Sequence, residues 1–319
     1  MKPARVAFPS IEPPPSSAAP SGRAAVSGAA ALYGAALVVF SSVAFSAKAV
    51  IAKLMYQHGI EPIATLALRM AFSAPIYVLV ALWVSRGAPR LTRRDLLGIA
   101  VLGTAGYYGS SALDFIGLRY ISAGLERLIL FTYPTVVVLL SAALLRERIR
   151  RHQALALIVT YVGIALVFHA ELDVNGDDVW LGAALVFACS LLYAGYLVGS
   201  TRYIRRLGPE RFTALALLVS TTAVLIHFGL GSERVTGHPP AVYGLAVLMA
   251  VFSTVLPTFA LAEGIRRLGP GPSAILGTVG PVSTLFLAHW FLGEPILALQ
   301  LAGTALVLGG ATAVAWRAR

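Results

Sequence analysis

The feature that most limits how this chain can fold is a series of apolar segments, each close to the length that crosses a lipid bilayer. A membrane-spanning helix needs about 20 mainly apolar residues. Only 12% of the 319 residues are charged, whereas a soluble domain carries roughly 25%. We therefore predict an all-α polytopic membrane protein with ten transmembrane helices, at roughly 32–54, 63–85, 96–118, 121–144, 153–169, 179–201, 212–230, 241–262, 272–292 and 297–316.

The distribution of basic residues predicts the orientation of these helices. If the N-terminus is cytoplasmic, most of the 25 lysine and arginine residues fall on the cytoplasmic side, as the positive-inside rule requires. The exceptions are Lys53, Arg119 and Arg234 in outer loops, and Lys48, Arg69 and Arg127 inside spans. The net charge of +11 then reflects orientation and contact with anionic lipid rather than with nucleic acid. We expect a bacterial inner membrane location with both termini cytoplasmic.

The N-terminal segment and the cysteine content narrow the possibilities further. Residues 1–29 are rich in Pro, Ser and Ala and lack the apolar core of a signal peptide, so a disordered cytoplasmic tail is predicted. Cys189 is the one cysteine, which excludes an internal disulfide and a cysteine-based zinc site. Neither a metal nor a cofactor is expected.

The chain contains an internal repeat. A shift of 147 positions aligns residues 117–163 with the second half at ten places, among them the pairs Gly117/Gly264, Pro134/Pro281 and Glu147/Glu294. We predict two five-helix repeats, at 30–170 and 178–317. Because five is odd, the second copy enters the membrane from the opposite side, which is the inverted-topology plan of many secondary transporters.

Two long segments also resemble a known family. The runs "GLRYISAGLERLILFTYPTVVVLLSAALLRERIRRHQ" and "GIRRLGPGPSAILGTVGPVSTLFLAHWFLGEPILALQLAGTALVLGG" are similar to the closing helices of EamA-type repeats in the drug/metabolite transporter superfamily. The resemblance implies ten helices, alternating access and a small-molecule substrate. It leaves that substrate open, since the superfamily moves amino acids, sugars, nucleotide precursors and toxic metabolites.

Five charged residues lie in the outer half of the first repeat, namely Lys48, Arg69, Asp114, Glu126 and Arg127. Charges inside a membrane are costly and mark functional sites. Three cations against two anions leave one positive charge, so we predict that an anionic or zwitterionic substrate group meets Lys48 or Arg127. Two alternatives stay open: Lys48 could reach the lipid headgroups, and Arg69 could form a structural ion pair with Asp114 or Glu126. The predicted aromatic, hydrogen-bonding wall of the cavity comprises Tyr107, Tyr108, Tyr133, Tyr193 and Tyr196.

Other positions are predicted to serve structure or gating. Pro134 and Pro281 interrupt helix hydrogen bonding in mid-span, where transporters often bend beside the substrate path. Glu147 and Glu294 follow equivalent apolar stretches, which favours a role in the fold. We expect Lys53 to extend to the outer headgroups.

These features favour a non-enzymatic secondary transporter of a small metabolite in the lipid bilayer, exporting an amino acid or a similar zwitterionic or anionic compound. Protonation of Asp114 or Glu126 would couple transport to H+. Uptake or facilitated diffusion of another metabolite or drug is the alternative. Two more distant alternatives are a non-transporting scaffold and an intramembrane hydrolase. The chain lacks the G-x-S-x-G and H-E-x-x-H motifs that would favour a hydrolase. The oligomeric state stays open.

Overall fold

A computed structural model describes residues 28–145, 151–175, 178–268 and 270–316, and these ranges contain helices but no β-strand. The helices are α1 (Gly28–Gln57), α2 (Pro62–Ser85), α3 (Arg93–Gly117), α4 (Ala123–Leu130), α5 (Tyr133–Leu145), α6 (Arg151–Asn175), α7 (Asp178–Leu207), α8 (Pro209–Leu230), α9 (Pro240–Leu268), α10 (Pro270–Gly277), α11 (Val279–Leu292) and α12 (Ala298–Trp316).

Seven helical segments in the described ranges are long and apolar enough to cross a membrane: α1, α2, α3, α7, α8, α9 and Ile275–Leu292. Two shorter apolar helical stretches are Ile158–Ala170 in α6 and Ala298–Gly310 in α12. The prediction of an all-α polytopic membrane protein is confirmed. Length and hydropathy do not establish the count of ten spans, which stays a prediction.

Local sequence signals explain where several helices begin. Thr92 and Asp95 form a capping box at the start of α3, since each side chain accepts a hydrogen bond from the other residue's backbone N–H. Ser122 accepts from the N–H of Leu125 at 3.0 Å and caps α4. Proline, which fits the first helical turn, opens three others: Pro62, Pro209 and Pro240.

The helices of one half pack reciprocally on those of the other half. Helix α1 packs on α9, and α3 packs on α7, while α2 lies against α8 and α6 lies against α12. In addition, α4 and α5 contact α7, just as α10 and α11 contact α1. Two copies related by a two-fold axis would produce this exchange of partners, in agreement with the predicted duplication.

Paired glycines allow these helices to approach closely. A Cβ atom on Gly117 would lie 2.9 Å from the carbonyl oxygen of Gly182, and one on Gly264 would lie 3.2 Å from the carbonyl oxygen of Gly34. The two pairs occupy equivalent positions in the two halves. Small residues at such crossings allow the tight backbone packing that stabilises helices in a membrane.

Two interruptions occur at matching positions of each half. Helix α3 contains a π-helical segment at Leu102–Gly109, and α9 contains one at Val251–Val255. Segments 121–144 and 272–292, predicted as continuous spans, are instead broken between α4 and α5 and between α10 and α11. The physical reason is the proline a few residues after each break, because proline lacks the N–H that would continue the helix.

Candidate functional site

Three of the predicted charged residues meet in the interior of the helix bundle. The ammonium of Lys48 on α1 donates to the carboxylate of Asp114 on α3, and to Oε1 of Glu126 on α4 at 3.1 Å. Their exposed fractions are 9%, 4% and 0%, so all three are buried. Lys48 therefore turns towards the two acids, and the alternative in which it reaches headgroups does not describe this structure.

The ion cluster leaves two acceptor atoms without a donor. Asp114 Oδ1 and Glu126 Oε2 are buried and accept no hydrogen bond, while the other oxygen of each carboxylate contacts the ammonium of Lys48. Two carboxylates thus share one lysine. We call Asp114 and Glu126 the acid pair.

Arg69 on α2 does not join the acid pair as an ion-pair partner. Its Nε donates to the hydroxyl of Thr254 at 3.0 Å, and its guanidinium lies over the ring of Phe115, 5.4 Å from the centroid. The Lys48 ammonium lies over the same ring at 5.7 Å. Cation–π contacts and a neutral hydroxyl therefore hold Arg69 in the interior.

Thr254 was not singled out by the sequence. It lies in the π-helical segment of α9, and its hydroxyl donates to the carbonyl of Met249 five residues earlier at 3.0 Å. The repeat contained a signal that could have found it, because the shift of 147 pairs Thr254 with Tyr107, which lies in the π-helical segment of α3. Segments of this kind frequently occur at functional sites.

Arg127 on α4 is the cation that the acid pair does not neutralise. Its guanidinium extends towards α11, where a Cβ atom added to Gly280 would lie 3.0 Å from Nη2. The adjacent Ser46 hydroxyl donates to the carbonyl of Gly280 at 2.7 Å. The Arg127 side chain is half-buried, its Nε is buried without a partner, and it forms no ion pair with any described residue. A substrate anion would supply the ion-pair partner that the Arg127 guanidinium lacks among these residues.

The predicted tyrosines join into one aromatic surface through Tyr193. Its ring lies 5.2 Å from that of Tyr133 and 6.1 Å from that of Tyr196, and the rings of Tyr107 and Tyr196 are 5.8 Å apart. Tyr133 also lies within electrostatic reach of Arg127. We call Tyr107, Tyr133, Tyr193 and Tyr196 the tyrosine wall. It connects α3, α5 and α7, so both halves of the chain contribute to it.

The two symmetry-related prolines lie at the helix breaks. Pro134 is the second residue of α5, and the buried Pro281 lies in the first turn of α11. Arg127 and Gly280 lie on the two helices that border these breaks. The breaks are therefore beside the half-buried cation, while a gating role for the prolines stays a prediction.

Glu294 connects the second half of the chain to the start of α4. Its Oε1 accepts from Lys53 Nζ at 2.9 Å, and its Oε2 accepts from the backbone N–H of Ala123 at 3.1 Å. Lys53 also donates to the carbonyl of Ile121 at 2.8 Å. We call this arrangement the Glu294 clamp. Lys53 was expected to reach headgroups, and that expectation is wrong here because a closer carboxylate satisfies it.

The Glu294 clamp borders an open cleft lined by Lys53, Tyr56, Gln57, Arg119, Leu292 and Glu294. A carboxylate at a helix N-terminus is stabilised by the helix dipole and by the free N–H groups. Glu147, its predicted counterpart in the first repeat, lies outside the described residues.

The serine and the two histidines considered for a hydrolase have other hydrogen-bond partners among the described residues. Ser110 donates to the carbonyl of Tyr107 at 3.1 Å. His227 Nδ1 pairs with the hydroxyl of Tyr108 at 2.8 Å, and His289 Nδ1 pairs with the carbonyl of Glu294 at 2.9 Å. Neither histidine is hydrogen-bonded to a serine.

Comparison with known proteins identifies the class of molecule that this helix bundle represents. A solved crystal structure with 19% sequence identity has the same fold, with a TM-score of 0.64 over 88% of this chain and 96% of the other. This likeness shows a shared helical fold.

The chain belongs to the EamA-like transporter family, whose sequence profile matches twice, over residues 32–169 and 180–316. It is 30% identical to the uncharacterized transporter YcbK of Bacillus subtilis, over 83% of this chain and 87% of YcbK. It is 24% identical to an uncharacterized transporter of Archaeoglobus fulgidus, over 86% of this chain and 94% of that protein. The family resemblance read from the sequence is confirmed, and the protein is a membrane transporter.

Proposed function

We propose that this protein is a secondary transporter that exports an amino acid or a similar zwitterionic or anionic metabolite by alternating access. The observation that carries the proposal is Arg127. It is a half-buried cation without an ion-pair partner among the described residues, between the two halves of a transporter fold. Buried unpaired charges are unfavourable, so a carboxylate or phosphate of the substrate is the partner that this position favours.

The sequence left open whether Lys48 or Arg127 binds the anionic group of the substrate, and the ion pairs of the two residues favour Arg127. Lys48 already has two carboxylate partners, and an anionic ligand at this position would have to displace one of them. Arg127 needs no such displacement, and its planar guanidinium suits bidentate binding of a carboxylate. We therefore assign the anionic group of the substrate to Arg127 and its apolar part to the tyrosine wall.

Alternating access would use the helix breaks and the Glu294 clamp. The breaks beside Pro134 and Pro281 allow the two halves of each interrupted span to move separately. The Glu294 clamp ties α4 to the end of α11, and its release would open that side of the bundle. In the orientation predicted from the basic residues, this side is the outer one.

Flux measurements on purified protein in liposomes test the proposal. The panel should contain neutral amino acids, dicarboxylates, sugar phosphates and organic cations, each offered as a radiolabelled gradient. We expect a zwitterion or anion to be transported and Arg127→Gln to reduce its kcat/KM about 10- to 150-fold, which corresponds to loss of a charged hydrogen bond of about 1.5–3 kcal/mol.

The matched control is Arg266→Gln, which removes an arginine that is exposed and paired with Glu263. This variant should transport at the wild-type rate. A cationic substrate, or wild-type kinetics in Arg127→Gln, would contradict the proposal. Expression in cells that are sensitive to toxic amino acid analogues then tests direction, since export confers resistance whereas uptake or facilitated diffusion confers sensitivity.

A further inference from the structure

The acid pair contains more negative charge than its one ion-pair partner, Lys48, neutralises. Asp114 and Glu126 lie against Lys48 alone, because Arg69 donates to Thr254 and the Arg127 guanidinium extends towards Gly280. If both acids were ionised, the cluster with Lys48 would have a net charge of −1. Glu126 is 0% exposed and Asp114 is 4% exposed, so this charge would have little water to stabilise it.

We propose that Asp114 and Glu126 share one exchangeable proton and that the transporter exchanges this proton for its zwitterionic substrate. The proposal rests on the proposed function for its second part, while the shared proton stands on the geometry alone. Each acid has one buried oxygen without a donor, and the two carboxyl groups lie close together because both contact the ammonium of Lys48.

A proton is the species that satisfies both oxygens at once. A protonated carboxyl group donates one O–H bond, whereas an ionised one can only accept. With one proton between the two groups, one acid donates to the other and the three-residue cluster becomes neutral. Two close carboxylates resist double ionisation in any case, because like charges disfavour the charged form.

A metal cation fits this position less well. The ammonium of Lys48 already occupies one oxygen of each acid, which leaves one free oxygen on each. No group of three or more His, Cys, Asp or Glu residues suited to a metal ion occurs in the described ranges. The liposome measurement described below distinguishes proton coupling from sodium coupling.

The other titratable or charged groups within electrostatic reach of the acid pair come from several helices. They are Lys48 and Tyr56 of α1, Arg69 of α2, Arg127 of α4 and Cys189 of α7. The three cations among them favour release of the proton. Burial of the acid pair opposes release, so a new positive charge nearby would shift the balance towards release.

A zwitterionic substrate supplies that positive charge. Glu126 and Arg127 are consecutive residues of α4, and the Arg127 charge lies within electrostatic reach of Glu126. A substrate whose carboxylate binds Arg127 would hold its ammonium group close to the acid pair, where the ammonium takes over the charge balance and the proton leaves to water. Binding of substrate and proton then exclude one another, which is the linkage that proton-driven export needs.

Infrared difference spectroscopy tests the shared proton without any substrate. Purified protein in lipid nanodiscs is taken through a pH step, and the C=O stretching band of a protonated carboxyl group is recorded. We expect a band that is lost in both Asp114→Asn and Glu126→Gln and kept in the control variant Glu263→Gln, whose acid is paired with exposed arginines. Absence of the band from the wild type, or its survival in both acid-pair variants, would overturn the shared proton.

A second measurement tests the exchange. Liposomes containing the protein and a pH-sensitive dye are loaded with an equimolar mixture of leucine, threonine and phenylalanine and diluted into amino-acid-free buffer. We expect amino acid efflux to acidify the interior, and the number of protons moved per amino acid released to fall at least about ten-fold in Glu126→Gln. Efflux without proton movement in the wild type, or acidification that requires sodium, would overturn the exchange. Absence of efflux for every compound of the flux panel would instead overturn the proposed function and leave the spectroscopic result intact.

Discussion

The Glu294 clamp gives a quantitative prediction about the opening of one side of the bundle. Glu294→Gln keeps the size of the side chain and one carbonyl acceptor, but removes the negative charge that Lys53 and the N–H of Ala123 share. If the clamp holds α11 against α4, this variant should populate the open state more often than the wild type does.

The magnitude follows from the contacts. A hydrogen bond to a charged group contributes about 1.5–3 kcal/mol, and a carboxylate at a helix N-terminus about 0.3–1 kcal/mol. The Lys53 and Glu294 side chains are 23% and 18% exposed, so water screens part of this attraction, and glutamine still accepts one bond. We expect a net loss of about 1–2 kcal/mol, which shifts the equilibrium about 5- to 30-fold towards the open state.

Cysteine accessibility measures this shift directly. The single cysteine is replaced by Cys189→Ala, and Ala288→Cys places a thiol on α11, where Ala288 is 1% exposed. A hydrophilic maleimide should then label Glu294→Gln in nanodiscs about 5 to 30 times faster than the parent protein. Glu263→Gln serves as the control. It removes the carboxylate of an ion pair on α9, away from the clamp, and should leave the labelling rate unchanged.

Lys53→Gln provides the reciprocal test. It removes the other charge of the clamp and should increase labelling in the same direction, with a double variant that is less than additive because the two residues share one interaction. Unchanged labelling in both single variants would refute the reasoning, since it would mean that the ion pair does not hold this side closed.

Two further predictions concern packing and pH. Gly163→Leu should destabilise the protein by about 1–3 kcal/mol, because a Cβ at Gly163 of α6 would lie 2.6 Å from the carbonyl oxygen of Gly303 of α12; Gly309→Leu, on α12 with open space around it, is the thermal-unfolding control that should not change. Glu233, which accepts from the N–H of Ala64 at 2.5 Å, has a pKa raised by burial and partly lowered again by that hydrogen bond. Its protonated form thus adds stability that is present below the ordinary carboxyl pKa and is lost as pH rises through the raised value. Glu233→Gln should therefore unfold about 1–2 °C above the wild type at pH 8 and show no advantage at pH 4, and an advantage that grows on acidification would contradict this assignment.

The sequence was informative wherever a property depends on neighbouring residues along the chain. Apolar runs predicted the helices, and the structure shows capping residues and prolines at several of their starts. The shift of 147 aligned Pro134 with Pro281, and both lie beside helix breaks at equivalent positions. The π-helical segments were not predicted, because their hydrogen-bonding shift has no residue signature as simple as proline.

The partners of the charged side chains were harder to predict. The sequence places Lys48 inside an apolar helix, but hydropathy does not report the rotation of a helix about its axis. Lys53 was expected in the headgroups, although its partner Glu294 comes 241 positions later in the chain. Arg69 was matched to nearby acids, whereas its partner is Thr254 of the other half.

The sequence by itself determined that this chain crosses the membrane repeatedly, that it is duplicated, and that a small group of charges lies within the apolar helices of the first half. These properties follow from local free energies of transfer and from residue spacing, which the chain carries without its tertiary contacts. The tertiary structure alone decided that Lys48 contacts two acids, that Arg127 forms no ion pair with the residues described, and that Glu294 joins the halves. Those outcomes depend on how α1, α4 and α11 are rotated and how closely they pack, and the helix rotations are fixed only when both repeats come together.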